Sequence, residues 1–448
     1  MNATPKDMDT AKTRRFHQKR ELILDAAATL INRHGVRGMT FVDVAQLVEL
    51  NTTSITYYFK RKELLAAAVL ERALERIEAL VAEAATAPTP QARVERYVRL
   101  NFDLQARINA EIERPIAVIS DIRALNEPYG SELTTRYVQV FRKLRTFFDA
   151  PKTVEDKILG TIRAHVLVQN MFWLPAWLSQ YSTGDYDRVI HRMIEIFEHG
   201  IAPKGAAWTP ELLPINESEL RVGIEGMPGN FARAATFLIN ERGYRGASVE
   251  QIASELNVTK GSFYHHLEAK DELVLECFRR SYGRVSLVQR AATKAGGSQW
   301  QRLSSSMATL LNVQLYSEFP LLRTTALQAL PTELRNDVLE RSNRMARRFA
   351  GMMIDGITEG SVRPVDPLVA SQAIMGALNS AYDLRDWIQG VEPAAAFAYY
   401  ASTLAYGLFS PPPQPYPGWP RHRNPRDPNP WRFGQCGVQV AKRGPCLE

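Results

Sequence analysis

Two short stretches of the chain concentrate side chains suited to a polyanionic partner. One carries Thr52, Thr53, Ser54, Thr56, Tyr57 and Tyr58, with Lys62 one turn further on. The other carries Lys260, Gly261, Ser262, Tyr264, His265 and His266, with Lys270 one turn further on. Hydroxyls, imidazoles and ammonium groups bond phosphate oxygens or base edges, so the chemistry on offer is recognition. Bond-making chemistry is not indicated. No phosphate-binding glycine loop, nucleophile motif or His/Cys cluster occurs in the sequence. His265 and His266 are adjacent, so on a helix they diverge by about 100° and share a metal poorly. No enzymatic activity, cofactor or metal is therefore expected.

The same frame surrounds both stretches. Residues 30–38, Leu-Ile-Asn-Arg-His-Gly-Val-Arg-Gly, return at 238–246 as Leu-Ile-Asn-Glu-Arg-Gly-Tyr-Arg-Gly. The offset of 208 then holds without a gap, pairing Ala45 with Ala253, Ser54 with Ser262, Lys62 with Lys270 and Leu65 with Leu273. Solenoid repeats have periods of roughly 20–50 residues, so this is a duplicated domain. In the first copy Leu22, Ile23, Ala26, Ala27, Leu30 and Ile31 line one helical face, and Gly35 ends that helix as a left-handed cap would. Thr40 stands where an N-cap belongs for a short helix, Phe41–Val48, and Asn51 can cap a third, Thr52–Lys60. In the second copy Ser248 caps Val249–Leu256 and Thr259 caps Lys260–Leu267. Ala45 and Ala253 supply the small side chain that a tight helix crossing needs. This is the helix-turn-helix pattern, whose last helix enters the major groove of DNA.

The stretch from Ser248 to Lys270 resembles the DNA-binding head of TetR-type transcriptional regulators, and Thr40 to Lys62 resembles a second, more divergent head. The resemblance covers about 45 residues twice. Gly261 and Tyr264 fit the family pattern in the recognition helix, where the first copy has Thr53 and Thr56 followed by Tyr57 and Tyr58. Leu267 stands where a phenylalanine is common, and the first copy has Phe59 there. The resemblance implies an all-α fold: a three-helix head, then a helical domain that binds a small effector and dimerises through its last two helices. It further implies a one-component regulator, most simply a repressor, on double-stranded operator DNA. A different reading is an effector-binding or protein-interaction module in which one or both heads no longer read DNA.

Charge separates the two copies. Residues 12–65 hold ten basic and five acidic residues, a balance of +5, while 229–273 hold five basic and six acidic residues, a balance of −1. Arg14, Arg15, Lys19 and Arg20 belong to a basic arm that the second copy lacks, since Pro228 occupies the place of Arg20. The first head is therefore expected to supply most of the electrostatic affinity, with the arm able to enter a minor groove. The chain as a whole carries +7, compatible with a nucleic-acid partner.

The sequence divides as follows: a basic disordered arm (1–18), a first head (19–65), a first helical ligand and dimerisation domain (66–200), a linker (201–228), a second head (229–273), a second helical domain (274–410) and a disordered Pro-rich tail (411–448). With two heads in one polypeptide, an intramolecular pseudo-dimer is expected, which leaves room for higher oligomers. A coil-like linker of this length reaches roughly 28 Å, enough to join adjacent halves. No apolar run of spanning length, no secretory leader and three scattered cysteines point to a cytoplasmic protein without a membrane partner. For the unknown effector, His165, Asn170, Phe172, Trp173 and Trp177 could line an apolar pocket with a polar handle, on a helix that Pro175 would kink. In the second half Met352 and Tyr382 are candidates, beside Met353 and Trp387. Core packing, or the contact between halves, is the competing role for all of these.

Overall fold

The computed structural model describes residues 5–215, 229–256, 270–323, 332–385 and 393–412, together with a few single positions between them. Among the described residues the fold is all-α, with no strand. Eight helices build the first unit: α1 (Pro5–Gly38), α2 (Phe41–Leu47), α3 (Thr52–Tyr58), α4 (Lys62–Ala84), α5 (Pro90–Asn109), α6 (Tyr129–Arg145), α7 (Val154–Trp173) and α8 (Tyr186–His199). The second unit contributes α9 (Gly229–Gly246), α10 (Val249–Glu255), α11 (Lys270–Lys294), α12 (Gln299–Leu315), α13 (Thr332–Glu359), α14 (Pro367–Ser380) and α15 (Pro393–Ala405). The third helix of the second head and the tail beyond residue 412 lie outside the described residues.

Local rules account for both heads. The long first helix of each turns at a glycine in the left-handed region, Gly35 (φ 64) and Gly243 (φ 73), at equivalent points of the repeat. Thr40 caps α2 by accepting from the Asp43 N–H, and Asn51 caps α3 by accepting from the Ser54 N–H. Ser248 and Gln251 form a reciprocal capping box on α10. Ala45 and Ala253 are both buried, at 4% and 3% exposure, as close helix crossing requires.

A four-helix seam joins the two units. α7 packs on α14 and α15, and α8 packs on the same two helices. Buried polar groups register the seam. The His165 ring Nε2 bonds the Ser380 carbonyl (3.0 Å), and the Trp173 indole N–H donates to Gln372 Oε1 (3.2 Å). At Gly376 a Cβ would lie 3.1 Å from Asn170 Oδ1 and 3.3 Å from Trp173 Cδ1, so the helices approach at the limit of contact. The ends of α8 and α15 also exchange backbone bonds: Ala202 N–H to the Ala405 carbonyl (2.8 Å) and Leu408 N–H to the Phe197 carbonyl (2.6 Å). Gly200 (φ 66) and Gly407 (φ 93) permit this crossing, because a Cβ at either would sit 2.2–2.3 Å from a backbone oxygen of the other strand of chain. The chain is thus an intramolecular pseudo-dimer.

Three expectations change. The arm expected to be disordered is the start of α1, which begins at Pro5. From Pro5 to His34 no further proline or glycine interrupts Lys, Arg, Ala, Leu and Glu, all good helix formers, and Pro5 is suited to a first turn. The first part of the linker is not coil-like. Trp208 is buried against Trp300, whose indole donates to the Ala207 carbonyl (3.0 Å), and Glu211 and Leu213 N–H groups donate to Ser305 and Thr309 hydroxyls. Residues 216–228 lie outside the described residues. Finally, Pro175 does not kink a continuous helix: α7 ends at Trp173 and a 3-10 turn, Leu174–Ala176, takes over.

Candidate nucleic-acid interface

α3 is held by burying Ile55 completely and Phe59 almost so, which leaves the opposite face to solvent. Thr52, Thr53, Thr56 and Tyr57 are exposed on that face, with Lys60 just beyond it. Tyr57 is 66% exposed, so its hydroxyl is open to solvent or a partner. Ser54 and Tyr58 are half-buried, and the Thr56 hydroxyl bonds the Thr52 carbonyl of its own helix (2.9 Å). The Lys62 ammonium donates to the Arg37 carbonyl (2.9 Å), tying α4 to the end of α1 instead of pointing into open solvent. Thr40 is exposed but its hydroxyl is engaged with the Asp43 carboxylate (2.7 Å).

The helical start of α1 runs beside this surface. Phe16 packs on Tyr58 (4.8 Å between ring centres) and edge-on to Tyr57 (6.1 Å). Phe16 escaped the sequence reading, although an aromatic residue inside a basic segment was a visible sign that the segment docks on something. Arg14, Arg15 and Lys19 are exposed, and the Arg20 guanidinium lies over the Phe59 ring (5.4 Å). Aromatic packing therefore fixes a basic helix next to the recognition helix.

In the second head, Ser248 acts as the cap of α10, Gly261 is helical, and Lys270 opens α11. Lys260, Ser262, Tyr264, His265 and His266 lie outside the described residues, as does Trp387.

These two heads meet their counterpart in sequence comparison. A family model described as bacterial regulatory proteins, tetR family, matches residues 23–69 and again 232–277. Both heads belong to the TetR family. A model described as a tetracyclin repressor-like C-terminal domain matches residues 296–383. The HTH-type transcriptional repressor KstR2 of Mycobacterium tuberculosis is 26% identical over 138 residues, 30% of this chain and 69% of that protein. The HTH-type transcriptional repressor DhaR of a Mycobacterium species is 27% identical over 129 residues, 28% of this chain and 63% of that protein. Among solved structures, FadR of Bacillus subtilis in complex with stearoyl-CoA aligns with a TM-score of 0.34 at 19% identity, covering 40% of this chain and 97% of that one. By family this TetR-type protein is a transcriptional regulator and not an enzyme.

The residues considered for an effector are placed elsewhere than around an open chamber. His165, Asn170, Trp173 and Trp177 are buried in and beside the seam, and Phe172 is 38% exposed. Burial holds the His165 imidazole below its ordinary pKa, against the pull of nearby Asp383, so it is neutral at the seam. Met352 is a buried side chain of α13, and the Tyr382 hydroxyl donates to the Glu241 carboxylate of α9 (2.6 Å). A small recess does straddle the units, where Trp177 and Tyr181 face Asn343, Arg347 and Gln372. No described helix is long and apolar enough to cross a membrane.

Proposed function

We propose that this TetR-family protein is a one-component repressor that grips operator DNA with two recognition helices of a single chain. The observation that supports the reading is the seam: α7, α8, α14 and α15 join two head-bearing units of one polypeptide, where ordinary members need two subunits to bring two heads together. In this reading residues 19–65 and 229–273 are the DNA-contacting heads. Thr52, Thr53, Thr56 and Tyr57 reach bases and phosphates, while Arg14, Arg15, Lys19 and Lys60 neutralise phosphates. Because the two recognition helices differ, the operator is non-palindromic or an imperfect palindrome. A small, mostly apolar effector releases the DNA by favouring another spacing of the heads.

A gel shift on DNA upstream of the protein's own gene, at low and high salt, tests this. A sequence-specific, salt-sensitive shift supports it, and the absence of any such shift ends it. The charge of the second head, −1 against +5, favours a second reading in which that head has lost DNA binding. In that case substitutions at Lys260 and Tyr264 leave the shift unchanged.

A further inference from the structure

Residues 115–124 of the first unit lie between the two heads. On one side they are gripped by α1. The Asn32 amide donates to the Ile116 carbonyl (3.1 Å), its oxygen accepts from the Val118 N–H (3.0 Å), and the Asp121 carboxylate accepts from the Val36 N–H (3.1 Å). On the other side the 3-10 turn Ile119–Ala124 packs on α9 of the second head. There Arg123 donates to the Asn240 carbonyl (3.1 Å), in the last turn before the bend at Gly243. A guanidinium is favoured at that position by the negative end of the helix. Arg323, from the second unit, donates to the same carbonyl (3.1 Å).

Both guanidiniums converge on Asp383, Arg323 at 2.5 Å and Arg123 at 3.8 Å, and Gln169 of α7 donates to its other oxygen (3.3 Å). The cluster is sequestered, with Asp383 5% and Arg323 9% exposed. Burial, reinforced by Arg323, lowers the Arg123 pKa to about 10, which still leaves it charged at neutral pH. Asn240 is the repeat equivalent of Asn32, and it clamps its own unit in the same way, to the Leu321 carbonyl and the Arg323 N–H. Arg123 adds a cross-tie to this common clamp. In the next position of the repeat Glu241 accepts from Tyr382, where the first head has Arg33.

We propose that Arg123 is a positioning residue that braces the first unit against the second head and sets the distance between the two recognition surfaces. The brace lies between the heads and meets the seam at Asp383, which Gln169 of α7 also holds. This concerns geometry alone, and its failure would leave the DNA-reading proposal standing.

The test uses the full chain with spin labels at Gln46→Cys and Ser254→Cys, exposed and equivalent positions of α2 and α10. Cys436→Ser and Cys446→Ser remove competing thiols, and Cys277 is buried. Pulsed electron resonance should give one narrow distance distribution. Arg123→Met should at least double its width. Arg323 still neutralises Asp383 in that variant, so the fold should persist, as circular dichroism would verify. Arg123→Lys, which keeps the charge but loses the forked donor, should recover part of the narrow distribution. Arg136→Met, which removes an ion pair with Glu78 inside the first unit, should leave the width unchanged. Unchanged width in both Arg123 variants, or an already broad parent distribution, overturns the proposal. If Arg123→Met fails to fold, the lysine variant decides alone.

Discussion

The two heads descend from one sequence but are held and charged differently. The first is basic, flanked by a helix that Phe16 docks onto Tyr57 and Tyr58, and its recognition face is open. The second is near neutral and is anchored from behind: Arg123 and Arg323 meet Asn240 and Tyr382 meets Glu241, just before the bend of α9, while Asp383 holds both guanidiniums. Duplication inside one chain removes the constraint that both copies do the same work. One copy can specialise in electrostatic capture while the other is fixed to the frame. In an ordinary symmetric dimer every substitution appears in both heads, so such a division is not available.

The largest test of this contrast is salt dependence. Replacing Arg14, Arg15 and Lys19 by alanine should lower the slope of log affinity against log salt by about 2–3 units and weaken binding by tens-fold or more. Lys260→Ala in the second head should change the slope by about one unit at most. Titrations by fluorescence anisotropy across a salt series check both, and equal shifts from the two heads would erase the proposed asymmetry.

Next comes the cost of the two clamps. Asn240 is 1% exposed and Asn32 is half-buried, although each makes the same pair of hydrogen bonds. Asn240→Ala strands buried backbone groups and should cost about 2–3 kcal/mol, whereas Asn32→Ala should cost about 1 kcal/mol. Denaturant midpoints measured with an unchanged slope would show this ordering, and the reverse ordering would break the comparison.

The seam that carries both heads should respond to acid. His165 is held neutral, with a pKa below the value near 6.5 that it has in the unfolded chain. The unfolded state therefore binds the extra proton first, and stability is lost as pH falls through that value. His165→Met should flatten the stability profile between about pH 7 and pH 5, an effect on the order of 1 kcal/mol. Thermal melts across that range read it directly. The smallest expected difference lies in the caps. Thr40→Ala and Ser248→Ala should each cost about 1 kcal/mol, with the reciprocal box at Ser248 making the second slightly larger. Amide exchange in α2 and α10 resolves such local losses.

The legible parts of this fold are the local ones. Gly35 and Gly243, Thr40, Asn51 and Ser248 announce bends and caps because those geometries depend on a few neighbouring residues. The recognition face of α3 was equally visible, since Ile55 and Phe59 point inward and the hydroxyls outward. What escaped the sequence is what depends on long-range partners. A stripe of His165, Asn170 and Trp173 has the same spacing whether a ligand or another helix covers it, and here α14 and α15 pack on α7. Basic residues 12–20 look solvated until Phe16 is seen to pack. The brace of residues 115–124 carries no periodic signal, because its meaning lies in Asn32 and Asn240 on either side.

The central claim is that one chain supplies both halves of the DNA clamp. The most direct measurement is the mass of the complex on upstream DNA, taken by native mass spectrometry at low protein concentration. The account predicts a species of one 50.5 kDa chain per DNA duplex, in which disabling either head weakens the same complex. A complex that forms only with two chains, each using a single head, would contradict it.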